Sequence, residues 1–150
     1  MDVICGAKDS SGDIENLKAF IRVGQELGRP FSVFAGNDGA ILTGLREGGA
    51  GGIAGRANLY PKTVAAIYDS FVAGDIARAE ECQQRISTLQ RVFKFGNPNT
   101  IIKKAVNLLG YPVGECRGET RNSLGQELVA GAWRDVIENN GDIHVLCHLD

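Results

Sequence analysis

The sequence alternates short apolar runs with longer segments of helical periodicity, and this alternation constrains the fold more than any other feature. Three apolar runs, over 3–7, over 31–35 and up to about residue 54, are typical of strands. In the segments that follow them, apolar residues recur every three or four positions, the period of a helix buried on one face. Strands that alternate with helices across short connections are usually parallel. The sequence therefore predicts an α/β fold, either part of a (β/α)8 barrel or a small doubly wound sheet.

The predicted helices have recognisable ends. Asp13 is a candidate N-cap and Gly28 a stop for the first helix. Pro61 lies in the first turn of the helix after the third strand, where proline is tolerated, and Gly74 ends it. Asp75 then opens a long helix. The predicted helices cover 14–28, 38–47, 60–74, 75–96, 99–110 and 123–141.

The composition argues against several functional classes. Apolar residues make up 43% of the chain and charged residues 23%, which is typical of a soluble globular protein. Sixteen basic and eighteen acidic residues give a net charge of -2 without a basic stripe among aromatic residues, so we expect no nucleic-acid partner. No apolar run approaches the roughly 18 residues of a membrane span, and no signal-peptide pattern is visible. We therefore expect a cytoplasmic protein with no membrane partner.

The cysteines and histidines suggest neither a disulfide framework nor a metal site. Scattered cysteines without a secretory signal indicate reduced thiols in a cytosolic protein. The tail brings His144, Cys147 and His148 close in sequence, but zinc normally takes three or four protein ligands, so we interpret this group as an incomplete site. We predict no metal and no cofactor. The four cysteines are Cys5, Cys82, Cys116 and Cys147.

Glycines are unusually dense between residues 36 and 55, within a chain that has 20 of them. The stretch GAGGIA over 49–54 satisfies the dinucleotide-binding pattern GxGxxA. That pattern functions only after a strand and at the start of a helix, because the pyrophosphate must meet the helix N-terminus. Here the glycines follow a predicted helix and precede a predicted strand. We therefore disfavour a nucleotide site and expect the glycines to allow close packing around a narrow strand.

Several segments, in the same order, resemble the dihydrodipicolinate synthase / N-acetylneuraminate lyase family. The segments that resemble its sixth, seventh and eighth strands read GAKDSSGD, FSVFAGNDG and GAGGIAGRANLYP. Those that resemble its C-terminal helices read GDIARAEECQQRI and NPNTIIKKAVNLLG. The resemblance runs from about Val3 to Gly114. It implies a partial (β/α)8 TIM barrel (strands six to eight) over 1–74, a C-terminal helical segment over 75–140 and a tail over 141–150.

The resemblance implies that Lys8 is a Schiff-base lysine. Members of the family join pyruvate, or another 2-oxo acid, to a lysine that ends strand six, for aldol addition to an aldehyde or for cleavage. An amine attacks a carbonyl only in its neutral form, which burial among apolar neighbours favours. Barrel enzymes also place their chemistry at the carboxyl ends of strands. Taken alone, Lys8 would be a solvated lysine at the start of a loop, but the two matching segments downstream favour the catalytic role.

The resemblance implies five substrate-binding positions. Gly36 matches a glycine that lets substrate approach the backbone. Asp38 matches a residue that holds a substrate hydroxyl in sugar-cleaving members, although it is equally a candidate N-cap of the following helix. Ile53 matches the residue whose carbonyl faces the lysine amine. Gly55 stands where some members have a substrate-contacting serine, and Arg56 either faces a remote substrate carboxylate or is a surface arginine.

Two segments that are typical of the family do not occur in this sequence. One is the Gly-Thr-Thr segment that grips the 2-oxo acid carboxylate, and the other is the Tyr-Asn-x-Pro segment whose tyrosine relays protons. Three interpretations remain open. The chain is a truncated piece of an aldolase, or one half of a split barrel completed by another chain or a symmetric mate, or an inactive remnant that serves only in assembly. We favour the first, as a 4-hydroxy-tetrahydrodipicolinate synthase-like lyase whose chemistry is intact in the parent protein.

Overall fold

A computed structural model of the chain shows two compact units. It describes the fold for part of the chain's length. One unit holds 4–54 and 63–87, and the other holds the remaining described residues. The helix predicted over 123–141 and the histidines and cysteine of the tail lie outside the described residues. The predicted division at residues 74 and 140 stays a prediction. The described residues are 4–87, Gln90, Phe93 and 96–116.

Three parallel strands form the sheet, in the order β1-β2-β3. They are β1 (Gly6–Asp9), β2 (Ser32–Ala35) and β3 (Gly51–Gly52). The parallel arrangement expected from the alternation of strands and helices is confirmed. The sequence predicts that the strand containing the apolar run over 3–7 finishes at Lys8, whereas β1 begins at Gly6 and ends one residue beyond Lys8.

The helices of the described residues follow the predicted order, with two differences in extent. Asp13 caps the first helix by accepting a hydrogen bond from the Glu15 amide at 2.9 Å, as predicted. The helix predicted over 38–47 is divided into a 3-10 turn (Asp38–Ala40) and a short helix, and the described helix that Asp75 opens ends at Ser87 rather than at residue 96. The helices are α1 (Ile14–Glu26), α2 (Ile41–Arg46), α3 (Pro61–Val72), α4 (Ile76–Ser87) and α5 (Pro98–Leu108).

The core of the first unit lies on one face of the sheet. Val33 and Ala35 of β2 are buried there, and because side chains alternate along a strand, Lys8 and Phe34 point to the opposite face. Neither Lys8 nor Phe34 is buried. The helices therefore cover one face of the sheet and leave the other open in this unit. The buried helical residues of this core are Leu17, Ile21, Ile41, Leu42, Leu45, Ile67, Ala79, Cys82 and Ile86.

The second unit has a small core of its own. Leu59 and Tyr60, which follow a 3-10 turn (Gly55–Asn58), are buried with Ile101 and Ala105 of α5. Helix α5 is capped by Asn97, whose side chain accepts a hydrogen bond from the Asn99 amide at 2.9 Å. Among the described residues, no helix has both the length and the apolar character that a bilayer crossing requires.

Candidate active site

Lys8 lies at the carboxyl end of the sheet, on its uncovered face. It is the third of the four residues of β1 and pairs with Phe34 of β2. The strands end in register, because Asp9 pairs with Ala35 and Ala35 with Gly52. The loops after all three strands therefore leave from one edge of the sheet. The side chain of Lys8 is exposed at this edge.

Gly36 lies directly against Lys8. Its amide donates a hydrogen bond to the Asp9 carbonyl at 2.6 Å, which holds the end of β2 beside the end of β1. A Cβ atom on Gly36 would lie 2.6 Å from Lys8 Cε and 2.7 Å from the Asp9 carbonyl oxygen. Both distances are shorter than van der Waals contact, so the missing side chain leaves the space that Lys8 occupies. The predicted approach of substrate to Gly36 stays a prediction.

Asp9 anchors the loop that follows Lys8, and the sequence interpretation missed it. Its carboxylate is buried and accepts hydrogen bonds from the Ser11 amide at 3.1 Å, the Ser11 hydroxyl at 3.0 Å and the Asn16 side chain at 2.8 Å. Burial by itself raises the pKa of Asp9, but these hydrogen bonds outweigh it and lower the pKa below its ordinary value. Asp9 is therefore an ionised anchor. The sequence feature that indicates this role of Asp9 is the Asp-x-Ser spacing, which is typical of an Asx turn.

Asp38 begins the 3-10 turn after β2, but it is not the cap of that turn. The cap is Asn37, whose side chain accepts a hydrogen bond from the Gly39 amide at 2.9 Å. The Asp38 carbonyl accepts a hydrogen bond from Gln83 Nε2 at 3.0 Å, and Gln83 Oε1 accepts one from the Leu42 amide at the same distance. Gln83 of α4 thus fixes the turn that carries Asp38. No sequence signal indicates this long-range contact.

Ile53 continues the pairing of β3 beyond its two assigned residues. Its amide donates a hydrogen bond to the Ala35 carbonyl at 2.9 Å. Its side chain is half exposed. Ile53 therefore leaves the sheet from the same edge as the residues after Lys8. The predicted approach of its carbonyl to the lysine amine stays a prediction.

Gly55 and Arg56 belong to the second unit. Gly55 begins the 3-10 turn, and its carbonyl accepts a hydrogen bond from Asn58 Nδ2 at 2.8 Å. Arg56 is buried, donates a hydrogen bond to Gln90 Oε1 and lies over the ring of Phe93, with Cζ 4.9 Å from the ring centroid. The interpretation of Arg56 as a surface arginine is wrong. A role of either residue in substrate binding stays a prediction.

An open groove lies at a different place in the first unit. It has a volume of about 520 Å³ and is lined by side chains of α2 and α4, among them Thr43, Arg46 and Glu80. Arg46 and Glu80 form an ion pair across it at 2.5 Å. Because Lys8 and Gly36 do not line this groove, it carries no argument about the lysine. In the part of the chain that the structure describes, no three His, Cys, Asp or Glu side chains could hold a metal ion.

The structure brings two of the predicted residues, Lys8 and Gly36, into direct proximity and leaves Asp38 and Ile53 on loops from the same edge of the sheet. This geometry presents a primary amine at the carboxyl ends of parallel strands, a position from which it can attack a carbonyl carbon. Fold and site together define a segment of an α/β protein with an exposed lysine at the carboxyl end of its parallel sheet. The Dihydrodipicolinate synthetase family model matches residues 1–123, and the chain belongs to this family.

Comparison with individual proteins agrees with this assignment. The chain is 37% identical over 114 residues to a 4-hydroxy-tetrahydrodipicolinate synthase of Methanoculleus marisnigri, a match that covers 76% of this chain and 38% of the relative. The chain thus spans well under half the length of that relative. The crystal structure of a dihydrodipicolinate synthase from Thermotoga maritima matches 92% of this chain and 46% of its own, with a TM-score of 0.79 and 22% identity.

A second solved structure gives the same result for the fold. It is a prophage protein of the dihydrodipicolinic acid synthase family from E. coli K12, solved in complex with pyruvate. It matches 89% of this chain and 46% of its own length, with a TM-score of 0.76 and 20% identity. The family model and the Methanoculleus marisnigri relative confirm the predicted family, and the two solved structures confirm an α/β fold of the kind found in its solved members.

Proposed function

We propose that this chain carries the lysine of a Schiff-base lyase site, and that Lys8 forms an imine with pyruvate or another 2-oxo acid. The observation that carries the proposal is the position of Lys8, exposed at the carboxyl end of β1 in the space left open by Gly36. The pyruvate complex of the E. coli protein and the name of the Methanoculleus marisnigri relative support it. We propose the cytoplasm as its compartment and no cofactor.

The chemistry follows from the amine. The Lys8 nitrogen attacks C2 of the 2-oxo acid, and the carbinolamine loses water to give an iminium ion. This cation acts as an electron sink, so a proton is lost from C3 and an enamine forms. The enamine carbon attacks the carbonyl carbon of an aldehyde, which gains a proton at its oxygen. Water then hydrolyses the new iminium, releasing the product and the free lysine, and cleavage follows the same steps in reverse.

The remaining predicted residues complete the proposal. Asp38 and Ile53 follow the strands beside Lys8. We therefore propose that Asp38 holds a substrate hydroxyl and that the Ile53 carbonyl faces the lysine amine. Gly55 and Arg56 remain proposed substrate contacts, with Arg56 as the candidate partner of a carboxylate. As the reaction we propose aldol addition or cleavage by a 4-hydroxy-tetrahydrodipicolinate synthase-like lyase.

A second candidate function is assembly without catalysis. The uncovered face of the sheet supports it, since Lys8 and Phe34 lie on this face and the helices of the unit lie on the other. In this alternative the chain pairs with a complementing half-barrel chain, or with a copy of itself, and Lys8 is not used.

Borohydride trapping with pyruvate distinguishes the two functions. We expect one reduced pyruvyl adduct, located at Lys8 by intact mass and peptide mapping, and lost in the Lys8→Ala variant. Lys62→Ala removes another exposed lysine and is the matched control, which retains the adduct. Absence of an adduct, or labelling spread evenly over several lysines, would contradict the imine function and leave assembly as the better account.

A further inference from the structure

The Ser10 hydroxyl lies beside the end of the Lys8 side chain. A Cβ atom on Gly36 would overlap both Ser10 Oγ and Lys8 Cε. A single carbon position can overlap two atoms only when those atoms are themselves neighbours. The lysine nitrogen is one bond beyond Cε, so the hydroxyl is close to the place where that nitrogen attacks a carbonyl.

The position of Ser10 is fixed by the residues on either side of it. The Asp9 carbonyl accepts a hydrogen bond from the Gly36 amide. The Asp9 carboxylate accepts hydrogen bonds from both the amide and the hydroxyl of Ser11. Ser10 is the central residue of this turn. Within the described part of the chain, neither its hydroxyl nor the Lys8 amine is engaged in a hydrogen bond with another group, so both are available to a ligand.

From this geometry we infer that Ser10 is a substrate-contacting residue, which donates a hydrogen bond to the C2 oxygen of the 2-oxo acid as Lys8 attacks it. This inference rests on the proposed function. The carbonyl oxygen gains negative charge as the nitrogen–carbon bond forms, and a hydroxyl positioned beside the nitrogen stabilises that charge. The oxygen is attached to the carbon that bonds to the lysine nitrogen, which brings it within reach of a hydroxyl beside that nitrogen. Ser10 keeps its own proton during attack.

The first test compares imine trapping by pyruvate in the wild-type chain and in two variants. We expect Ser10→Ala to lower the rate of adduct formation at Lys8 by about threefold to tenfold, less than the loss from an enclosed oxyanion hole because this site is open to water. Ser10→Thr keeps a hydroxyl and is expected to retain most of the rate. Ser32→Ala is the matched control, since it removes an exposed hydroxyl from the adjacent strand.

A second measurement does not depend on pyruvate. Acetaldehyde with borohydride alkylates any accessible lysine, so the ratio of labelling at Lys8 to labelling at the exposed Lys62 reports the local effect of Ser10. We expect this ratio to fall in Ser10→Ala and to be unchanged in Ser32→Ala. A ratio that is the same in Ser10→Ala and wild type overturns the inference about Ser10. Failure of pyruvate trapping in the wild-type chain, with a ratio that does depend on Ser10, would instead count against the proposed function alone.

Discussion

Asp9 stabilises the loop after Lys8 as a charged group, and this makes stability depend on pH. Burial raises the pKa of Asp9, but the hydrogen bonds from Ser11 and Asn16 lower it further than burial raises it, to below the ordinary value of 3.8. A carboxyl group whose pKa is lowered by folding favours the folded state when it is ionised. This contribution is therefore fully present above pH 3.8 and is lost as the pH falls through the lower pKa of the folded state.

Asp9→Asn tests this account. We expect the variant to lower the free energy of unfolding near neutral pH by about 1–3 kcal/mol, because hydrogen bonds to a charged acceptor are weakened. The difference from wild type should shrink as the pH falls below 3.8. Urea unfolding at a series of pH values measures it. Asp69→Asn, which removes an exposed carboxyl of α3, is the control. A difference that is independent of pH would contradict the role of the charge.

At the scale of single residues, the sequence predicts which residues belong to the candidate site better than it predicts what those residues contact. Lys8 is predictable because its position in KDSSGD matches a family pattern. Its proximity to Gly36 depends on the register of β1 and β2, which no local pattern specifies. Arg56 shows the same limit, since its burial depends on Gln90 and Phe93, more than thirty positions further along the chain.

At the scale of elements, α4 holds the turn that carries Asp38 through the side chain of Gln83. We expect Gln83→Leu to remove the hydrogen bonds of Gln83 with the Leu42 amide and with the Asp38 carbonyl, and to lower the free energy of unfolding by about 1–3 kcal/mol. Hydrogen exchange at the Leu42 amide should become faster, because the turn opens more easily. Gln84→Leu changes the exposed neighbour and should leave this exchange unaltered. Equal protection of Leu42 in Gln83→Leu and wild type would contradict the contact's role.

The same contact shows why some elements are predictable and others are not. Helix α1 is predicted almost completely, because its cap, its apolar period and the stop at Gly28 are all local. The segment over 38–47 has the same apolar period, but it begins with a 3-10 turn that Asn37 caps. The Leu42 amide then donates its hydrogen bond to Gln83, which lies on a distant helix. Strand β3 is reduced to two glycines, which have low strand propensity and are held there by pairing with β2.

At the scale of the whole molecule, the first unit leaves one face of its parallel sheet without covering helices. Parallel sheets in α/β proteins are normally covered on both faces. The described helices cover one, and the other carries Lys8 and Phe34. The chain matches only 38% of the length of its Methanoculleus marisnigri relative, and the remainder of that relative is a candidate cover.

Co-expression with the remainder of that relative tests whether such a cover completes the site. We expect the two polypeptides to purify together and the rate of pyruvate trapping at Lys8 to rise, because enclosure removes water and strengthens electrostatic stabilisation of the attacked carbonyl. Lys8→Ala should still bind its partner but form no adduct. Phe34→Asp places a charge on the uncovered face and should weaken co-purification, whereas Val72→Asp, at an exposed position of α3, should not. Co-purification that survives Phe34→Asp would show that the partner binds elsewhere than the sheet face that carries Lys8.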